Sequence, residues 1–267
     1  MTNEPKKNFK IVTETKARVL LPNTLTLIGV CIGLTSINFA LNQNYKLSII
    51  AIILAAIIDG LDGRIARLIK GTSKVGKELD SLTDVISFGV APAFIMYFWV
   101  MNSLGKIGWL ISLIYVVCVA LRLARFNVNT GSEPSWKDNF FEGIPSPAGG
   151  ILVLSPLIYD ASGFDIINLN YKLITPIVFI VVSILLISKI PTYSMKKIVV
   201  PRSSTIFLLF GIVLLFGLLL IFTFKALIVP STVYLLTVPI SLFHYHKIKK
   251  THKHDNNFND EEPEDVL

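Results

Sequence analysis

An all-α, polytopic membrane helix bundle is the fold class this sequence predicts, on three observations. Its 267 residues are 52% hydrophobic and 16% charged, with a mean hydropathy of +0.64, a balance outside the range of soluble domains. The apolar residues gather into eight windows, most of them near the roughly 20 residues that cross a bilayer at about 1.5 Å per residue. When those windows alternate across the membrane with the N-terminus inside, 21 of the 25 Lys and Arg residues fall on the inner side. The net charge of +7 is therefore read as a topology signal, and no nucleic-acid partner is expected. Cys31 and Cys118 lie in apolar runs without metal-ligand spacing, which excludes a disulfide framework or zinc site as the organising principle.

In chain order the windows are Val19 to Leu41, Tyr45 to Ile65, Leu79 to Met101, Ile107 to Leu123, Ala148 to Tyr159, Leu173 to Ile190, Ser204 to Phe224 and Ala226 to Tyr245. The fifth is short. Charge counting keeps it as a span or deep re-entrant segment, because omitting it would put the basic cluster from Lys189 to Arg202 outside. Residues 1–18 form a polar N-terminal segment without the apolar core of a cleavable signal peptide. Within it, Lys7 to Arg18 interleaves Phe9, Ile11 and Val12 with basic residues, as either a short helix on the inner leaflet or a solvated tail. Residues 19–190 hold six windows, 191–246 the last two, and 247–267 a basic then acidic tail expected to be disordered and cytoplasmic. His244, His246, His252 and His254 cluster where the last window passes into that tail and are read as solvated, in preference to a metal site.

Charged side chains inside apolar spans mark function, and four carboxylates sit where the second window ends and the third begins. Asp59 and Asp62 are three apart, Asp80 and Asp84 four apart, so each pair projects from one helix face, and an antiparallel hairpin brings the pairs to one depth. Four acids converging in a partly dry place repel one another unless positive charge lies among them. Two divalent cations, Mg²⁺ or Mn²⁺, match hard oxygen ligands and neutralise the set. Such a platform accepts an anionic phosphate, to which Arg67 adds a cation. Gly60, Gly63, Ala66 and Gly76 leave room where a ligand or a backbone comes close, although for any one of them taken alone ordinary helix packing is the readier explanation.

The run Asp59-x2-Asp62-Gly63-x2-Ala66-Arg67-x8-Gly76-x3-Asp80-x3-Asp84 resembles, at all eight fixed positions, the signature of the CDP-alcohol phosphatidyltransferase family, class I. The resemblance implies a six-helix core over residues 19–190 with two further C-terminal helices, a homodimer, and a two-metal site open to the cytoplasm. It also implies that Asp59, Asp62, Asp80 and Asp84 ligate metal, with Asp84 also the base and Asp80 the second choice. Asn23, Asp62, Gly63, Ala66, Arg67 and Gly76 would line the CDP pocket. Further segments, Pro22-Asn23, Gly76 to Leu82, Ser87 to Pro92, Leu121 to Asn127 and Phe141 to Ala148, are similar to the phosphatidylserine-forming branch of that family. This branch transfers the phosphatidyl group of CDP-diacylglycerol to L-serine and releases CMP, in phospholipid biosynthesis at the cell membrane.

Serine is a zwitterion and needs a donor for its carboxylate and an acceptor for its ammonium group; Arg122, Arg125, Asn127 and Glu142 sit on the expected side. Arg122 and Arg125 also fall where positive-inside topology wants basic residues, so both readings stand. Pro145 and Pro147 stiffen the adjoining loop or merely punctuate it. No histidine lies near the acids, which argues for direct displacement and against a covalent phosphatidyl-histidine. Two alternatives remain at this stage. One is a sibling enzyme using glycerol phosphate, inositol phosphate or choline; the other is an ion-coupled transporter, disfavoured because the acids bunch at one end of one hairpin.

Overall fold

The structure, a computed structural model, describes residues 14–69, 71, 73–129, 140–163, 169–188, 190–193, 224–229, 232–234 and 237. In chain order they form α1 (Glu14–Leu41), α2 (Tyr45–Leu68), α3 (Lys74–Asp84), a π-helical turn (Val85–Val90), α4 (Ala91–Trp99) and a 3-10 turn (Met101–Leu104). Then follow α5 (Lys106–Asn129), β1 (Phe140–Glu142), α6 (Ser146–Val153), α7 (Ser155–Ser162), α8 (Tyr171–Ile187) and β2 (Pro191–Tyr193). The helical expectation holds, with one addition: β1 and β2 pair antiparallel, Phe141 opposite Thr192, and clasp the chain entering α6 to the chain leaving α8. Gly143 extends the clasp, its amide donating to Ile190 O at 2.9 Å from a backbone φ of +74° that favours glycine.

Burial differs from that of a soluble protein in that apolar side chains cover the outside as well as the core. Leucines, isoleucines and valines are exposed along α1 (Leu27, Leu34), α5 (Leu110, Val117) and α8 (Ile177, Ile184), whereas Ser36, Ser48, Ser87, Ser146 and Thr175 are buried. Apolar stripes of this extent belong in lipid, and the chain is a membrane protein. Among the described residues, the helical stretches Leu20–Leu41, Lys74–Trp99 and Lys106–Val128 are long and apolar enough to cross, and Tyr171–Ile187 is a shorter apolar helix. α2 has the length, but its last three turns carry Asp59, Asp62, Arg64 and Arg67. Of the last two windows, only 224–229, 232–234 and 237 lie within the described residues, as do residues 14–18 of the N-terminal segment, which extend α1; the tail from 247 lies outside them. Leu227 is buried against the core, and Lys46 Nζ lies 5.9 Å from the centre of the Phe224 ring.

Two of the differences between the helix boundaries and the apolar windows have a local cause. α3 begins five residues before its window because Ser73 caps it, its hydroxyl accepting from the Gly76 amide at 2.9 Å. The fifth window breaks into α6 and α7 at Leu154, since Pro156 denies the helix an amide and crowds the preceding turn. Even end to end, Ser146 to Ser162 rises only about 26 Å, less than the roughly 30 Å hydrocarbon core, so this pair is a broken element shorter than an average span.

α1 and α2 form an antiparallel hairpin through a turn with Gln43 at φ +59°, and α1 also packs on α3, the π-turn and α4. That second contact depends on small residues: a Cβ at Gly33 would stand 2.5 Å from Ser87 Oγ and 3.0 Å from Ser87 Cα. α5 packs against α8 on the far side, closing a core that includes Phe88, Tyr115, Val119 and Phe179. Gly33→Ala should therefore force α1 off the π-turn and cost about 1–3 kcal/mol. Thermal unfolding in detergent checks this, and an unchanged midpoint would show that the approach is not tight.

Candidate functional site

The four aspartates meet where α2 ends and α3 begins. One carboxylate oxygen each from Asp59, Asp62 and Asp80 lie within 4.8 Å of one another, and Asp84 stands against Asp59. Their helices are turned to bring this about. Asp62 is 3% exposed while neighbouring Leu61 is 47% exposed, and on α3 Val75 and Leu82 face outward while Asp80 and Asp84 are half-buried. A stripe of carboxylates directed into a membrane protein has a substantial charge to compensate.

Side chains from three other helices close around the acids. Thr26 of α1, itself buried, donates from Oγ1 to Asp62 Oδ2 at 2.7 Å. Arg122 of α5 is buried within electrostatic reach of Asp84, and its Nη1 donates to Ser146 Oγ at the start of α6. Asp84 Oδ1 and Arg122 Nε are both buried without a hydrogen-bond partner among the described residues. An orphaned carboxylate oxygen beside three clustered ones is a set of hard donors awaiting a hard acceptor, which a divalent cation fits. The same residues offer a proton acceptor at Asp84 and a fixed cation at Arg122.

The residues expected around a nucleotide divide into two groups. Gly60 and Gly63 have open space where a Cβ would point, with nothing within 4 Å, so they pack against no described helix. Arg67 beside them is exposed, its Nε donating to Gly63 O at 3.0 Å, and Ala66 is half-buried. Gly76 is different. A Cβ there would lie 2.8 Å from Asn23 Oδ1, so Asn23 of α1 and the first turn of α3 need the glycine to meet.

Of the four residues offered for serine, the structure brings Arg122 to the acids. Arg125 points elsewhere: its Nη1 donates to Ile187 O at 2.7 Å and ties α5 to the end of α8. Asn127 donates from Nδ2 to Ser81 Oγ at 2.9 Å and accepts from Lys77 Nζ, which clasps α5 to α3 next to Asp80. Glu142 contributes its backbone to β1, and its side chain lies outside the described residues. Thr26 and Ser146 were not legible as site residues. Thr26 is a single hydroxyl in an apolar run, signalled only by its position one turn after Asn23, and Ser146 looks like loop punctuation between two prolines.

A family profile of CDP-alcohol phosphatidyltransferase matches residues 19–216. The chain belongs to the CDP-alcohol phosphatidyltransferase family. Within it, the chain is 40% identical over 206 residues to a CDP-diacylglycerol–serine O-phosphatidyltransferase of Mycobacterium leprae, covering 75% of this chain and 65% of the relative. It is 37% identical over 179 residues to the protein of that name from Helicobacter pylori, covering 67% and 74% respectively. An archaetidylserine synthase of Methanothermobacter thermautotrophicus is 33% identical over 177 residues, 64% of this chain and 69% of that one. The chain spans slightly less than two thirds of the length of these mycobacterial relatives.

For a family member with this geometry, Thr26 should hold one carboxylate of the cluster in its orientation. Thr26→Val, which keeps the shape and removes the hydroxyl, is expected to weaken Mn²⁺ binding about 10-fold or more, and Thr26→Ser to restore it. Titration of the detergent-solubilised protein with Mn²⁺ reads both; equal affinity in all three would remove Thr26 from the site.

Proposed function

We propose that this protein is a phosphatidylserine synthase: it joins the phosphatidyl group of CDP-diacylglycerol to the hydroxyl of L-serine and releases CMP. The observation that carries the reading is the orphaned Asp84 oxygen beside the Asp59, Asp62 and Asp80 cluster, with the buried Arg122 and Ser146 pair alongside. Asp59, Asp62, Asp80 and Asp84 would hold two divalent cations, Mg²⁺ or Mn²⁺, which when bound neutralise the acids and stabilise charge on the phosphoryl oxygens. Asp84 takes the proton from the serine hydroxyl, a poor nucleophile at neutral pH, as its oxygen bonds to the β-phosphorus and the bond from that phosphorus to the CMP oxygen breaks. Asp80 is the alternative base. The open faces at Gly60 and Gly63, with Ala66 and the exposed Arg67, provide the lane for CDP, and Asn23 and Gly76 brace its far end.

Arg122 orients serine through the carboxylate, its unpaired Nε giving a donor, while Ser146 keeps the guanidinium aimed. Asn127 borders the same side, and Glu142 would answer the ammonium group. Arg125 keeps a structural role, supported by its bond to Ile187. A phosphorylated acceptor would want more cations than the described residues bring to Asp84, which favours serine over glycerol phosphate or inositol phosphate. Residues 19–190 make up the catalytic core, 191–246 a C-terminal helix pair and 247–267 a tail. The basic asymmetry supports a multi-pass chain with both termini and the site at the cytoplasmic face, and family resemblance supports a homodimer.

The decisive assay incubates purified protein with CDP-diacylglycerol, Mn²⁺ or Mg²⁺ and a panel of alcohols while following CMP. Release that depends on L-serine is expected; preference for another alcohol would reassign the acceptor. Asp80→Asn and Asp84→Asn should each lower turnover by at least 10²-fold with the protein still inserted, and substantial activity in both would overturn the site. Arg122→Ala should raise the serine KM about tenfold or more, the loss of one charge-assisted hydrogen bond, whereas Arg125→Ala should lower the unfolding midpoint with serine saturation unchanged.

A further inference from the structure

The helix carrying Asp80 and Asp84 changes its winding directly after Asp84. α3 ends there, Val85–Val90 closes wider turns in which the Ala91 amide donates to Ile86 O, and α4 resumes at Ala91. The sequence supplies the cause. Pro92 has no amide proton, and its ring crowds the carbonyl four residues back, that of Phe88. A π-turn relieves the clash, but the amide an α-helix would direct at Phe88 O is gone.

Tyr115 of α5 fills that vacancy, its hydroxyl donating to Phe88 O at 2.6 Å. The tyrosine is fully buried and packs edge-on against Phe179, ring centres 5.3 Å apart. Other helices grip the same turn: a Cβ at Gly150 of α6 would stand 3.2 Å from Phe88 O, and one at Gly89 would stand 3.3 Å from Val119 of α5. One extra residue in a turn rotates everything before it by about 100° relative to everything after it. α4 is anchored in the core by Ile95 and Met96, so the π-turn sets the direction in which Asp80 and Asp84 face.

We propose that the π-turn fixed by Pro92 and Tyr115 aims the carboxylate centre, with Tyr115 a positioning residue that acts through the Phe88 carbonyl. This rests on reading the four aspartates as a divalent-cation centre. Tyr115→Phe keeps the ring and its packing and removes one hydroxyl. Pro92→Ala restores the helical amide and lets the turn rewind, and it removes a helix breaker.

The test titrates full-length protein in detergent with Mn²⁺, following free Mn²⁺ by electron paramagnetic resonance, for the wild type, both variants and Asp84→Asn. Each variant is expected to bind Mn²⁺ on the order of tenfold more weakly at unchanged stoichiometry. Turnover should fall while the serine KM stays within about twofold, and in Tyr115→Phe amide exchange across residues 85–91 should quicken. A general loss of fold would reduce stoichiometry and leave the affinity of the surviving fraction alone. Wild-type Mn²⁺ affinity and turnover in a folded Tyr115→Phe overturn the role of the tyrosine. If that variant does not fold, the same result in Pro92→Ala overturns the proposal. A wild type that binds no Mn²⁺, or that loses none of its binding in Asp84→Asn, instead overturns the cation centre on which the proposal rests.

Discussion

Four carboxylates inside an apolar sleeve are the constraint around which this bundle is arranged. Such charges are costly to remove from water and repel one another at close range, so they must face inward, away from lipid, and towards something that compensates them. α2 and α3 both obey. Leu61, Val75 and Leu82 turn outward while Asp62 is buried and Asp59, Asp80 and Asp84 are half-buried, and the apolar faces of α1, α5 and α8 are likewise exposed. Among the described residues, Thr26, Arg122 and Ser146 are polar contributions that other helices make to this centre.

Bringing charged helices this close together demands thin contacts elsewhere. Gly33 and Gly76 have almost no free space, and there the helices meet; Gly60 and Gly63 have no described residue near the position of a Cβ, which leaves an open face among the described residues. Residues of one type, in a single stretch of chain, thus serve opposite purposes. The tight pair determines how α1 seats against α3 and the π-turn, and the open pair borders the acids on the side where a phosphate-bearing ligand is proposed to lie. The clasp between β1 and β2, with Arg125 on Ile187 O, holds the ends of α5 and α8 and the start of α6 together, so that Ser146 reaches Arg122.

Much of this was legible beforehand because it follows from period and spacing. Carboxylates three and four residues apart on two consecutive helices must share faces, and Asp59, Asp62 and Asp80 do come together, with α2 and α3 both packed on α1. Boundaries were less legible where a cap or a proline overrode hydropathy, as at Ser73 and Pro156. The serine set was only partly legible, because Arg122 and Arg125 are three residues apart on one helix and chemically identical. One meets a carboxylate and a hydroxyl, the other a backbone carbonyl, and nothing in their immediate sequence separates them.

By itself the sequence determined the membrane as solvent, the family and the acids that must converge, since each depends on composition or on residues near in the chain, where helical geometry fixes relative positions. Only the tertiary structure decided which hydroxyl steadies Asp62, which arginine reaches Asp84, which glycines are gripped and which stand open, and how the Phe88 carbonyl is satisfied. Those outcomes turn on contacts between residues tens of positions apart, set by the rotation and depth of each helix against its neighbours, and no local pattern encodes these.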